Sequence, residues 1–235
     1  MSTKNIVLLH GWGSSTIKLE PLAQALASKK WNVYTLKLPG FEAPPPKTAW
    51  GVSDYADYAY EMAQKYFKGQ SFYVFGHSNG GRMTIKLASE DLKDLEGVIL
   101  CCSAGISRGN PMKRVFFWSL AKAGKVFNAT PPLNLLARKA IYKLAREHDY
   151  EKTQGVMKEI FKKMVEEDLK PITSNIKIPT LILWGEIDRM TPLKDAYYLK
   201  KHIKNSKLET FPEIGHRLPY LKPEEVAESI NKWAR

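Results

Sequence analysis

Residues Phe72–Ala88 read FYVFGHSNGGRMTIKLA. Phe72, Tyr73, Val74 and Phe75 are aromatic or β-branched, the composition of a short buried strand. Gly76-His77-Ser78-Asn79-Gly80 breaks that run, and from Arg82 onward the composition is helical. A G-x-S-x-G pattern between a strand and a helix is a nucleophile elbow. Its serine sits on a tight, strained turn, and glycines flank it where a Cβ would strike neighbouring backbone. Such a turn lifts the Ser78 hydroxyl above the carboxyl edge of the sheet, where open α/β sheets place their ligands.

Strand and helix signals alternate on both sides of this stretch. Toward the N-terminus, Asn5–Leu9 (NIVLL) reads as a strand that ends in His10-Gly11-Trp12-Gly13, and a helix is expected over Ser14–Ser28. A second strand, Trp31–Leu38, runs into Pro39-Gly40-Phe41 and a proline-rich loop. Ser53 is the expected cap of the next helix, whose Tyr55, Ala59, Met62 and Tyr66 recur at helical spacing. Toward the C-terminus, Gly97–Cys102 reads as a buried strand. From Ile106 to Lys170 strand signals stop and helical patterns take over, with 14 Lys/Arg against 7 Asp/Glu. Alternation resumes with the strand Pro179–Trp184, a helix opened by Thr191 and Pro192, the strand Lys207–Phe211 and a closing helix from Pro223. Strands alternating with helices imply right-handed βαβ units and a parallel sheet covered on both faces. The expected organisation is a core over residues 1–105, a helical insert over 106–170, and the rest of the core over 171–235.

Ser78 needs a base, because a serine hydroxyl is a weak nucleophile at its free pKa. His216, in the turn Glu213-Ile214-Gly215-His216 past the last strand, is the candidate. A carboxylate on the other ring nitrogen would fix the tautomer and stabilise the imidazolium. Asp188, in the loop after Pro179–Trp184, is the candidate there, with Glu186 as its neighbour and rival. Serine, acid, histidine is the chain order that this elbow architecture uses.

The chain has 235 residues, is 44% hydrophobic and carries a formal net charge of +12. That charge admits two readings, attraction to anionic partners or a solvated lysine surface. No nucleic-acid-binding motif accompanies it, so no nucleic acid partner is expected. Cys101 and Cys102 are adjacent in a strand, hence on opposite faces, and are read as reduced thiols. His and Cys show no metal-ligand spacing, and neither metal nor cofactor is expected. No leader-like segment opens the chain, and no apolar run approaches the roughly 20 residues of a membrane span. A soluble, cytoplasmic protein is the expectation. Nothing in the chain speaks to oligomeric state.

The stretches LLHGWG, GHSNGG, PTLILWGEIDRMTP and GHRLP, in this order, resemble the α/β-hydrolase superfamily, and most of all its small microbial carboxylesterases. The resemblance implies an α/β-hydrolase fold, a mainly parallel sheet of about six strands with helices on both faces and an inserted helical cap. It implies a serine hydrolase that takes a small-molecule ester, with Ser78, Asp188 and His216 catalytic. It also implies an oxyanion hole from the backbone N–H groups of Trp12 and Asn79, and a structural role for His10. Under the cap, Phe116, Phe117 and Trp118 either line an acyl pocket or pack onto the core. Thioesters, lactones and carbon–carbon bonds beside a ketone are open to the same machinery, and so is a receptor that keeps the triad but turns over slowly. One loop departs from the family pattern: Lys37-Leu38-Pro39-Gly40-Phe41-Glu42 stands where D-x-P-G-x-G-x-S is common.

Overall fold

The computed structural model describes residues 3–107 and 155–234. The elements run β1 (Lys4–Leu9), α1 (Thr16–Ser28), β2 (Trp31–Thr35), α2 (Val52–Tyr66), β3 (Phe72–His77), α3 (Asn79–Ala88) and β4 (Leu95–Cys101). After the undescribed stretch come α4 (Val156–Glu166), a 3-10 helix (Lys170–Asn175), β5 (Thr180–Gly185), α5 (Leu193–His202), β6 (Ser206–Phe211), α6 (Leu218–Leu221) and α7 (Pro223–Trp233). The six strands form one sheet in the order β2-β1-β3-β4-β5-β6, and every pairing is parallel.

Central and edge strands differ as burial requires. Ile6 to Leu9 in β1 and Leu181 to Trp184 in β5 are inaccessible to solvent, which is why both segments read as unbroken apolar runs. Edge strand β6 (SKLETF) is half-exposed along most of its length and mixes polar with apolar residues. Cys101 and Cys102 are free and buried.

The strand order places the site. After β1 the chain steps one way to β2, and from β3 onward each step goes the other way. Right-handed crossovers then put α1 on one face and α2, α3 and α5 on the other. Accordingly α1 packs with α7, and α2 packs with α3. The reversal lies between β1 and β3, and the crevice outside their carboxyl ends is where such sheets bind ligands.

Two details differ from the sequence reading. Helix α2 is capped by Gly51 rather than Ser53, and the Asp54 carboxylate accepts the Gly51 N–H (2.7 Å) and closes the first turn from inside. Helix α3 begins at Asn79, directly after the elbow serine, rather than near Arg82.

Residues Met1–Ile106 with Gly155–Arg235 form one compact unit, and Ser107–Gln154 another. Of the stretch read as an insert, the part from Gly155 onward lies in the unit of the sheet. There α4 buries Ile160, Phe161 and Met164, and Lys163 Nζ donates to the Ala49 carbonyl (2.6 Å). Among the described residues no helix is long and apolar enough to cross a membrane.

Candidate active site

Ser78 is the N-cap of α3, at φ 54° and ψ −114°, a backbone conformation that side chains other than glycine rarely adopt. Packing maintains it. A Cβ on Gly76 would collide with Thr84 Oγ1 and the Gly80 carbonyl, and one on Gly80 with the Leu9 and His10 carbonyls. The Ser78 N–H donates to Cys101 O (3.2 Å), and its carbonyl accepts from Gly81 N–H (3.0 Å) and Ala104 N–H (2.9 Å). The turn is thus held by main chain on every side.

His216 and Asp188 arrive from the far half of the sheet. Strand β5 ends at Gly185, where a Cβ would strike the Ile214 and Gly215 carbonyls. Without that Cβ the loop after β6 crosses over the end of β5 toward β3. There Ser78 Oγ donates to His216 Nε2 (2.9 Å), and His216 Nδ1 donates to Asp188 Oδ2 (2.8 Å). Asp188 is buried, and its other oxygen accepts the N–H groups of Met190 (2.7 Å) and Thr191 (2.9 Å). Burial opposes its charge, but the His216 ring and the Thr191 bonds outweigh it and hold the carboxyl below its ordinary value. Glu186 is exposed and accepts from Thr210 Oγ1 (2.8 Å) instead.

The loop after β1 lies against Ser78. A Cβ on Gly11 would stand 3.1 Å from Ser78 Cβ and 3.5 Å from its Oγ. Trp12 follows, its ring held edge-on by Phe41 (4.9 Å) and Phe161 (4.8 Å). Asn79 is the first residue of α3, so its N–H is one of those a helix leaves without an intrahelical acceptor, at the end that favours negative charge. His10 is buried, donates through Nδ1 to Gly11 O (2.8 Å), and is pushed down in pKa by that burial. Its Nε2 has no hydrogen-bond partner and stands 3.6 Å from a Glu42 carboxylate oxygen. Glu42 also accepts from the Thr16 N–H (2.6 Å) and Thr16 Oγ1 (2.8 Å), which fixes the start of α1.

Ser78, Asp188 and His216 are therefore brought together, with Trp12 on the loop after β1 and Asn79 at the start of α3 beside them. Phe116, Phe117 and Trp118 lie outside the described residues. The Cys102 thiol, the Asp188 carboxylate and the His216 ring lie within 4.8 Å of one another, which is metal-ligand chemistry. Both Asp188 oxygens and both His216 nitrogens already have hydrogen-bond partners, so the cluster reads as part of the hydrogen-bonded chain.

Sequence reasoning missed Thr191, whose hydroxyl donates to Asp188 Oδ2 (2.7 Å) and lies 3.1 Å from Cys102 O. An aspartate with a threonine three residues on, just past a strand, is an Asx-turn signal that could have found it. It also missed Tyr220 and the part played by His77, for which no local pattern exists.

This sheet, with its reversal between β1 and β3 and the elbow at the end of β3, defines the α/β-hydrolase fold. Residues 2–220 match the family model described as serine aminopeptidase, S33, and the chain belongs to that family. An uncharacterized hydrolase of Bacillus subtilis, YugF, is 26% identical over 256 residues, spanning 97% of this chain and 88% of its own. A pimeloyl-[acyl-carrier protein] methyl ester esterase of Neisseria meningitidis is 23% identical over 249 residues, spanning 97% and 92%. Among solved structures, an esterase from Exiguobacterium antarcticum shares the fold with a TM-score of 0.73 at 20% identity, over 99% of this chain and 92% of that one. The chain is a serine hydrolase of the α/β fold.

Proposed function

We propose that the protein cleaves carboxylic esters of small or medium acyl chain through an acyl-enzyme on Ser78. One observation carries the reading: a strained serine whose Oγ is 2.9 Å from an imidazole whose other nitrogen is 2.8 Å from a buried carboxylate. The Asp188 contact places the proton on His216 Nδ1 and leaves Nε2 free to accept. As Ser78 Oγ bonds to the ester carbonyl carbon, its proton passes to Nε2 and the carbonyl oxygen becomes an oxyanion. The N–H groups of Trp12 and Asn79 receive that oxyanion, each worth about 3 kcal/mol in sites of this kind. The carbon–oxygen bond to the leaving alcohol then breaks, and the alcohol departs with the proton from Nε2. Water repeats the sequence on the acyl-enzyme, giving its proton to His216 and releasing the acid, with the proton returning to Ser78 Oγ.

The ester specificity draws support from relatives named as esterases. Ser78→Ala should lower p-nitrophenyl ester turnover by about 10⁴-fold or more with the fold intact. A fluorophosphonate should label the wild-type protein and not the variant. A variant that still turns over normally would end the assignment.

A further inference from the structure

We propose that Tyr220 is a positioning residue for this site, its hydroxyl joining the loop after β1 to the loop of His216 through Ser14 and the ring of His77. The inference rests on the reading of Ser78 and His216 as nucleophile and base. Three contacts carry it. Ser14 Oγ lies 3.1 Å from the Tyr220 hydroxyl, that hydroxyl lies 3.1 Å from His77 Nδ1, and His77 Nε2 lies 2.8 Å from the His216 carbonyl oxygen. The His77 ring also packs on both partners, 4.9 Å from His216 and 5.0 Å from Tyr220 between centroids.

The proton order along this chain follows from its fixed end. A carbonyl oxygen only accepts, so His77 Nε2 carries a hydrogen. Burial, with His216 nearby, pushes the His77 pKa down to about 3, so the ring stays neutral and Nδ1 is a bare acceptor. The Tyr220 hydroxyl must then donate to Nδ1, which leaves its oxygen to accept from Ser14. Each group has one role, and a chain with one allowed direction holds its members in one geometry.

The placement of those members gives the chain its function. Ser14 stands two residues from Trp12, His77 directly precedes Ser78, and the carbonyl belongs to His216 itself. Tyr220 sits on α6, one turn beyond His216, with its own N–H on the Arg217 carbonyl (3.0 Å). The loop bearing an oxyanion donor, the elbow and the base are therefore tied to one another by side chains outside the triad. Small displacements among such groups change the rate of the chemical step more than they change binding.

The test is steady-state kinetics on p-nitrophenyl butyrate. Tyr220→Phe removes one oxygen and should lower kcat about tenfold with KM within about twofold, the size expected when one buried acceptor loses its partner. Ser14→Ala should lower kcat about threefold, and the double variant should be no slower than Tyr220→Phe alone, because both changes break one chain. Unchanged kcat in Tyr220→Phe, a change confined to KM, or losses that multiply in the double variant would overturn the proposal. Should Tyr220→Phe fail to fold, Ser14→Ala decides alone, and an unchanged kcat there refutes it. A wild-type protein without Ser78-dependent turnover would instead remove the reading of the site beneath it.

Discussion

The two halves of the sheet's carboxyl edge deliver their residues by different means. On the β1/β3 side, positions are set by main chain packed against main chain. Gly80 lets the elbow close on the Leu9 and His10 carbonyls, Gly76 lets it close on the Gly80 carbonyl, and Gly11 lets the neighbouring loop touch Ser78. On the β5/β6 side, main chain only permits the approach, at Gly185, and side-chain hydrogen bonds do the aiming. Asp188 is oriented by Thr191 and two N–H groups, and His216 by Asp188. Main-chain packing has no adjustable part, whereas a hydrogen-bonded side chain can be changed with the fold left standing. Substitutions at the packed glycines of the first side should therefore act through stability, and those at the hydrogen-bonded side chains of the second through chemistry.

Asp188→Asn has the largest effect expected on the β5/β6 side and tests the second half of that claim. The asparagine oxygen can still accept the Met190 and Thr191 N–H groups, so the loop survives. Its amide would donate to His216 Nδ1, forcing the ring proton onto Nε2, which could no longer accept from Ser78. We expect kcat to fall about 10³–10⁴-fold while stability changes by less than about 1 kcal/mol. Ester kinetics beside a thermal melt reads both. Gly80→Ala tests the first half, since its Cβ has only backbone to meet. It should cost at least about 3 kcal/mol of stability or leave no soluble protein, whatever the activity of the remainder. A stable Gly80→Ala protein with selective loss of kcat would dissolve the contrast.

The same contrast explains what was legible in the chain. The strands were readable because both faces of a parallel sheet are buried, so NIVLL and TLILW stand out as continuous apolar runs. The elbow was readable because its glycines and serine form a five-residue pattern between a strand run and a helical run. Asp188 and His216 were readable from position, each lying just past a strand at the same edge. Tyr220 was not, because its partners Ser14 and His77 are 206 and 143 residues away and a tyrosine beside a proline announces nothing. Glu42 was noted only as a departure from a loop pattern; its bonds to Thr16 become visible once that loop folds over the start of α1.

Acid should find the β1/β3 side first. His10 and His77 both lie there, buried, with pKa values below the ordinary 6.5, His77 at about 3. Between those limits the unfolded chain takes up protons that the folded ring refuses, so stability is greatest above 6.5 and falls as pH drops toward 3. The slope is at most about 1.4 kcal/mol per pH unit for each ring. Asp188, held below 3.8, adds stability that is present above that value and lost only beneath it. Melting curves from pH 7.5 to 4 should therefore decline from near 6.5, and a midpoint flat down to pH 4 would contradict this.

A smaller expected effect sharpens the β5/β6 side. The Thr191 hydroxyl is buried, donates to Asp188 Oδ2 at 2.7 Å and lies 3.2 Å from His216 Nδ1. Thr191→Val keeps the shape but removes the donor, so Asp188 loses one of the bonds that oppose its desolvation and turns more freely about its side-chain axis. A single hydrogen bond of this kind is worth about 1 kcal/mol net, so kcat should fall about fivefold with KM unchanged. Thr191→Ser restores the hydroxyl and should recover most of the rate, while a methyl group is missing from both the serine variant and the packing around it. Recovery by serine assigns the effect to the hydrogen bond. If valine matched the wild type and serine were slow, the contribution of Thr191 would lie in its packing, and the side-chain half of the edge would depend on shape as the main-chain half does.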